Sequence, residues 1–331
     1  MKFIRKKTIK GREYFYFEYP FTVNGKRRIL SRYLGREVPR NLPEFITKTF
    51  QMVAEKAAEA VDPKAKLYFA PRSVLSLEEA HFWYQSLHHE LLEGDLKLFR
   101  SLFAILFILN SNRAEGSKVT RKNIEKLLKK QQKPKTQLDI EILNSLTALR
   151  FAFSSEMKWT MPSIKTLHRM LFDRIAPHMA GRLKSENVTV SNEPTTHWKF
   201  ARRELKNLLF WFHKNRKKYY PPILALEFHH RFEGIHPFED GNGRIGRLLL
   251  NAFLLKEGFM PVIFFSENHG RYCRALSEAR QGRKRKLAHY FLDQFVKTRS
   301  AVLRYKQEGI IRGGSPQVGR WEIERGKIRK Y

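Results

Sequence analysis

The sequence predicts a mainly α-helical protein with a small antiparallel β meander at its N-terminus, and three observations carry that expectation. Aromatic and polar side chains fill Tyr14 to Tyr19, and Asn24-Gly25 follows, a dipeptide that favours the type I′ hairpin turn. Beyond Pro39 and Pro43 the apolar residues recur at helical spacing, punctuated by capping residues and prolines. The strongest apolar runs, Leu102 to Leu109 and Leu248 to Leu255, are far shorter than a bilayer span and read as helices of a core.

The elements follow in order. Thr8-Ile9-Lys10-Gly11 marks a first turn, Tyr14 to Tyr19 a strand, and Arg28 to Leu34 a third strand. Asn41-Leu42-Pro43-Glu44 supplies a cap, an early-turn proline and an acid at N3, which predicts a helix over about 42 to 60. Ser76-Leu77-Glu78-Glu79 repeats the capping box and predicts a second helix that ends near Glu93-Gly94. Leu96 to Ile108 is strongly helical and breaks into Asn110 to Gly116, where Ser111 and Glu115 share a helix face. Helices are then expected over about 120 to 132, 136 to 156 and 163 to 178, with breaks at Lys133-Pro134 and Met161-Pro162. Asn187 to Val190 and Thr196 to Trp198 read as two short strands, followed by helices over 200 to 216 and 221 to 234. A last helix runs over about 287 to 308, and Ile310 to Tyr331 reads as either a flexible tail or an added hairpin.

Composition narrows the classes of function. The 331 residues carry 64 lysines and arginines against 32 aspartates and glutamates, a net charge of +32 that favours nucleic acid, an acidic protein surface or an anionic membrane surface as partner. The basic runs are scattered along the chain, so charge alone assigns none of these. A single cysteine, Cys273, excludes an internal disulfide framework, and no base stands beside it to make it a nucleophile. Met1-Lys2-Phe3-Ile4-Arg5 lacks a signal-peptide core; a soluble, cytoplasmic protein with no membrane insertion is expected. The expected organisation is a β meander over 1–35, a helical linker over 36–95, a helical core over 96–308 and a basic tail over 309–331.

The chemistry concentrates in Gly234 to Arg247. His236 precedes a proline, which biases it to an extended backbone off any helix and presents its ring from a loop. Asp240 opens the Gly241-Asn242-Gly243 turn, where glycines let backbone amides converge on an anion and the following helix adds its positive end. Arg244, Arg247 and Asn251 share one face of that helix, Leu248, Ala252 and Leu255 form the core-facing stripe, and Gly258 and Pro261 end it. Gly241-x-Gly243-x-x-Gly246 also fits a dinucleotide-binding fingerprint, but no hydrophobic strand precedes it. A zinc site from His229, His230 and His236 fails too, because adjacent helical histidines point to different faces.

His236 to Arg247 fits H-P-F-x-[D/E]-G-N-G-R-x-x-R and so resembles the Fic (Fido) family, whose members mostly transfer AMP from ATP to a protein hydroxyl. The resemblance spans roughly Leu96 to Gln307 and implies a Fic-type helical core with a β-hairpin flap. It casts His236 as the catalytic base and Asp240 as the holder of Mg²⁺. Gly241, Asn242 and Gly243 would meet the α and β phosphates, and Arg244 and Arg247 the β and γ phosphates. Ser111 to Gly116 resembles the inhibitory motif [S/T]-x-x-x-E-[G/N], which implies that Glu115 pairs with Arg247 as a bidentate partner and misplaces the triphosphate. Val188, Thr189 and Val190 fall where the family's flap clamps a target by strand addition. Tyr272 and Cys273 fall in a segment similar to the adenine-pocket motif Y-Y-x-x-L-x-x-A-N-x-G-D, from which Cys273, Arg280 and Arg283 depart; Lys184 likewise departs from G-x-[F/Y]-R. Within the family, some members remove AMP, with the counterpart of Glu115 aligning a water, and a few transfer other phosphate-containing groups. Outside it stands a nucleic-acid-binding regulator that uses the meander. The target protein is left unnamed, and self-modification and a homodimer are left open.

Overall fold

The computed structural model describes residues 3–23, 26–61, 68–88, 93–130, 133–190 and 193–307. Asn24-Gly25 and the tail from Ile310 lie outside the described residues. The chain divides into two compact units, Met1–Lys97 and Leu98–Tyr331.

In the first unit, β1 (Ile4–Ile9), β2 (Arg12–Val23) and β3 (Lys26–Gly35) form an antiparallel sheet in that order. Lys10 and Gly11 both take positive φ, 50° and 76°, as a tight two-residue hairpin requires. Period-two alternation sends Phe17, Tyr19 and Phe21 to one face, where Phe3 and Leu30 join them. That face is covered by α1 (Leu42–Ala60) through Ile46, Phe50 and Val53, and by Phe82 of α2 (Pro71–Ser86). Tyr19 and Phe50 meet edge to face at 4.4 Å. Within residues 36–95, expected as a helical linker, these two helices complete the core of the sheet. Two boundaries differ from expectation. α2 starts at Pro71, after an extended Ala70, and the Ser76 hydroxyl turns back to donate to the Arg72 carbonyl (3.1 Å) instead of capping a helix. It ends at Ser86, well before Glu93. Asn41 precedes α1 as expected but makes no side-chain cap bond.

The second unit holds most of α3 (Glu93–Arg113), then α4 (Arg121–Lys130), α5 (Gln137–Ala152) and α6 (Met161–Phe172). Thr136 and Asp139 form a complete capping box that fixes the start of α5. α6 stops at Phe172, short of the expected 178, and Arg174 takes φ 57° just beyond. A two-stranded hairpin follows, β4 (Thr189–Val190) with β5 (Glu193–Pro194). The second strand precedes Thr196 to Trp198, because the His197 ring accepts from the Lys199 amide (3.3 Å) and starts α7 (Trp198–Asn215). α8 (Pro221–Ile235), α9 (Asn242–Lys256), α10 (His269–Arg280) and α11 (Lys284–Gln307) complete the unit.

α9 was expected to be two-faced, yet every residue from Asn242 to Leu255 is buried. It packs against α5, α6 and α8, and Phe253 joins an aromatic cluster with Phe212 (5.2 Å) and Trp159 (5.9 Å). Buried all round, it is a rigid axis for whatever stands at its N-terminus. Among the described residues no helix is long and apolar enough to cross a membrane.

Candidate active site

The site is built where α8 ends and α9 begins. His236 is the C-cap of α8 and donates its amide to the Phe232 carbonyl (2.9 Å). Its φ and ψ are 50° and 62°, left-handed rather than the extended conformation expected before a proline. The helix end wins over the pre-proline preference, because the residue that closes a helix turns left-handed. The ring is freed from the helix all the same, with 12% of its side-chain surface exposed. Burial, with the nearby charge of Lys184, lowers its pKa to about 4, so the imidazole is neutral at pH 7.

The loop between the helices is pinned from inside. The Asn242 side chain accepts from the Phe238 amide (3.0 Å) and donates to the Phe238 carbonyl (2.9 Å). Both of its polar atoms are occupied there, so it shapes the loop and leaves anion contact to backbone N–H groups. His168 does the same from α6. It accepts from the Gly181 amide (2.8 Å), lies 3.2 Å from the Asp240 carbonyl and stacks on Phe238 at 4.1 Å. Gly241 takes φ 75° as N-cap, and a Cβ there would lie 2.6 Å from the Phe172 ring. The first helical acceptor is the Gly241 carbonyl, taken by Ile245, which leaves the amides of Asn242, Gly243 and Arg244 at the helix mouth. They form a seat for anionic oxygens.

Charged groups ring that seat. Arg244 donates to Asp240 (3.2 Å), and its guanidinium lies 4.9 Å from the Phe172 ring centre. Asp240 keeps 55% of its side-chain surface exposed. Arg247 is 3% exposed and donates through Nε to Ser111 Oγ and through Nη2 to the Ser111 carbonyl, each at 3.0 Å. Nη2 also donates to Glu115 Oε1 at 2.7 Å. The expected fork-to-fork pair is therefore a single contact, because Ser111 takes the Nε side. Burial opposes ionisation of Glu115 most strongly, but Arg247 and then Arg244 outweigh it and hold the carboxyl below its ordinary range. A Cβ on Gly243 would lie 2.5 Å from that carboxylate, so this glycine makes room for Glu115.

Other predicted residues have different roles. Tyr272 is buried, its hydroxyl 2.7 Å from His229 Nε2 and its ring packed on Phe264 and Tyr290. Expected beside adenine, the ring lies buried among these three side chains. Cys273 is half-buried, with Sγ 3.4 Å from His269 Nε2. Asn251 clasps the connector after α9 through the Val262 amide (2.6 Å) and carbonyl (2.9 Å). Lys184 donates to Thr195 Oγ1 (2.8 Å) and the Ile235 carbonyl (3.2 Å), tying the hairpin to the end of α8; burial lowers its pKa to about 8. Arg280 pairs with Glu193 of the hairpin (2.7 Å). Val188, Thr189 and Val190 lie at and before β4, with Thr189 exposed.

Glu233 and His168 were missed by sequence reasoning. Glu233 is buried, with Oε2 4.0 Å from His236 Nδ1, and burial raises its pKa to about 7 against the opposing charge of Arg247. Its i, i+3 spacing from His236 was the available signal. For His168 no signal existed, since its partners are backbone groups distant in sequence.

Residues 158–254 match the family model described as Fic/DOC family. Over this stretch the chain is similar to a Fic domain. Protein adenylyltransferase fic-1 of Caenorhabditis elegans is 30% identical over 156 residues, 45% of this chain and 31% of that one. Protein adenylyltransferase Fic of Nematostella vectensis is 30% identical over 199 residues, 57% of this chain and 47% of that one. The chain thus spans less than half the length of these curated relatives. Among solved structures, a Fic domain containing signaling protein from Bacteroides thetaiotaomicron aligns with TM-score 0.62 and 23% identity, covering 72% of this chain and all of that one. Residues 134–508 of C. elegans Fic-1 align with TM-score 0.60 and 21% identity, covering 80% of each. These structures share the mainly helical Fic fold.

Proposed function

We propose that the protein transfers AMP from ATP to a hydroxyl side chain of a target protein, and of itself, and that Glu115 restrains the transfer. The observation that carries this reading is a neutral imidazole, His236, one short loop away from an amide seat whose arginine is already held by a carboxylate. The names of the curated relatives support it.

In this mechanism His236 takes the proton as the target oxygen attacks the α-phosphorus. The new P–O bond forms, the bond to the β-phosphate breaks, and pyrophosphate leaves. A base in this position contributes about 10²–10⁴ in rate. The amides of Asn242, Gly243 and Arg244 stabilise charge that develops on the phosphates, and Arg244 and Arg247 steady the far end of the triphosphate. Glu115 removes Arg247 from that task. Asp240, exposed and beside the seat, is a hard oxygen donor of the kind Mg²⁺ takes together with phosphate oxygens. That ion, when bound, neutralises phosphate charge. Strand addition along Val188, Thr189 and Val190 holds the target, and Cys273 offers a half-exposed contact for the base.

The test is label transfer from α-labelled ATP with magnesium, to the protein itself and to lysate proteins. His236→Ala should lose label about 10²–10⁴-fold. Label that persists in the folded His236→Ala chain, or none from any variant, sinks the reading.

A further inference from the structure

We propose that the outward face of the N-terminal sheet binds single-stranded nucleic acid, stacking bases on Tyr16 and Tyr33 while Arg5 and Arg27 meet the phosphates. The face is defined by register. Phe17, Tyr19 and Phe21 turn to the core, so their neighbours Tyr16, Glu18 and Pro20 turn outward, opposite Arg5 on β1 and Tyr33, Ser31 and Ile29 on β3.

Such a face needs no apolar groups, yet Tyr33 is 53% and Ile29 62% exposed. The rings are gathered: Tyr33 lies 5.5 Å from Tyr16 and 6.1 Å from Tyr14, and the Lys7 ammonium lies 4.7 Å from the Tyr16 ring centre. Tyr33 is exposed, and Tyr14 and Tyr16 beside it are half-buried; rings interleaved with cations on a sheet in this way form a platform on which unpaired bases stack. Charge selects the partner. Residues 1–35 hold ten lysines and arginines against two glutamates. Glu13 is paired with Lys6 (2.5 Å) and Glu18 with Lys7 (2.7 Å), whereas Arg5 and Arg27 have no ion-pair partner among the described residues. A polyanion matches that surplus. A single strand matches the rings, because duplex bases are already stacked on one another. The inference is independent of the AMP-transfer chemistry and uses none of its residues.

The test is fluorescence anisotropy on the full chain with short labelled oligo(U) and oligo(dT) strands and a duplex of equal length, at low and moderate salt. The strands should bind more tightly than the duplex and weaken as salt rises. Tyr16→Ala with Tyr33→Ala should weaken binding roughly tenfold or more, Tyr33→Phe should leave it unchanged, and Arg5→Ala should flatten the salt dependence. Should the double-alanine chain melt early, Tyr33→Leu, which keeps an apolar strand residue and removes the ring, gives the same reading. Absent strand binding, a preference for duplex, or affinity indifferent to the rings in a folded variant overturns the proposal.

Discussion

Arg247 shows how one buried cation is fixed before any ligand arrives. Its guanidinium is held by the Ser111 hydroxyl and carbonyl on one side and by Glu115 on the other. Glu115→Gly removes the charged partner and leaves both serine contacts in place. A hydrogen bond between charged groups contributes about 1.5–3 kcal/mol, so label incorporation should rise roughly 10–100-fold. Unchanged incorporation would discard the restraint. Ser111→Ala removes only a neutral contact to Nε, and its effect on labelling should be several-fold smaller. The six-residue pattern around Glu115 made this pair readable in advance. What it did not reveal was the geometry, because which guanidinium nitrogens are already occupied depends on a serine backbone 136 residues away in the chain.

Among the elements, α8 and α9 decide whether the site stands. Their close approach depends on Gly246, where a Cβ would lie 2.4 Å from Glu233 Oε1 and 2.9 Å from His229 Nδ1. Gly246→Ala should therefore lower stability by roughly 1–3 kcal/mol through overpacking, measured by denaturant melts. It should also depress labelling beyond that loss, since Glu233 faces His236; an alanine variant of wild-type stability would refute the packing account. The motif located the turn and both helices, and binary pattern located nearly every other helix. The failures share a cause. Start of α2, end of α6 and the second hairpin strand were each set by one local backbone choice at Ala70, Asp173 or His197. The amphipathic reading of α9 failed because its arginines and asparagines are buried with partners, which residue type alone does not signal.

For the molecule as a whole, the buried imidazoles set an acid limit. His168, His229 and His236 have pKa values lowered to about 4, about 3 and about 4, mainly by burial. Each is neutral in the fold, while the unfolded chain takes up protons below about 6.5. Their contribution is complete above that pH and is lost as pH falls toward 4. Glu233, raised to about 7, runs the other way and loses stability as pH rises through that value. Three groups outweigh one. Melting temperature should fall by roughly 5–15 °C from pH 7 to pH 5, at about 1.4 kcal/mol per group and pH unit; a flat profile means the rings are not buried neutral. Ser111 holds the guanidinium through two contacts that do not involve the glutamate, so its orientation and its charge pairing rest on separate groups. Under the restraint proposed above, losing the charged contact would require no rebuilding of the site.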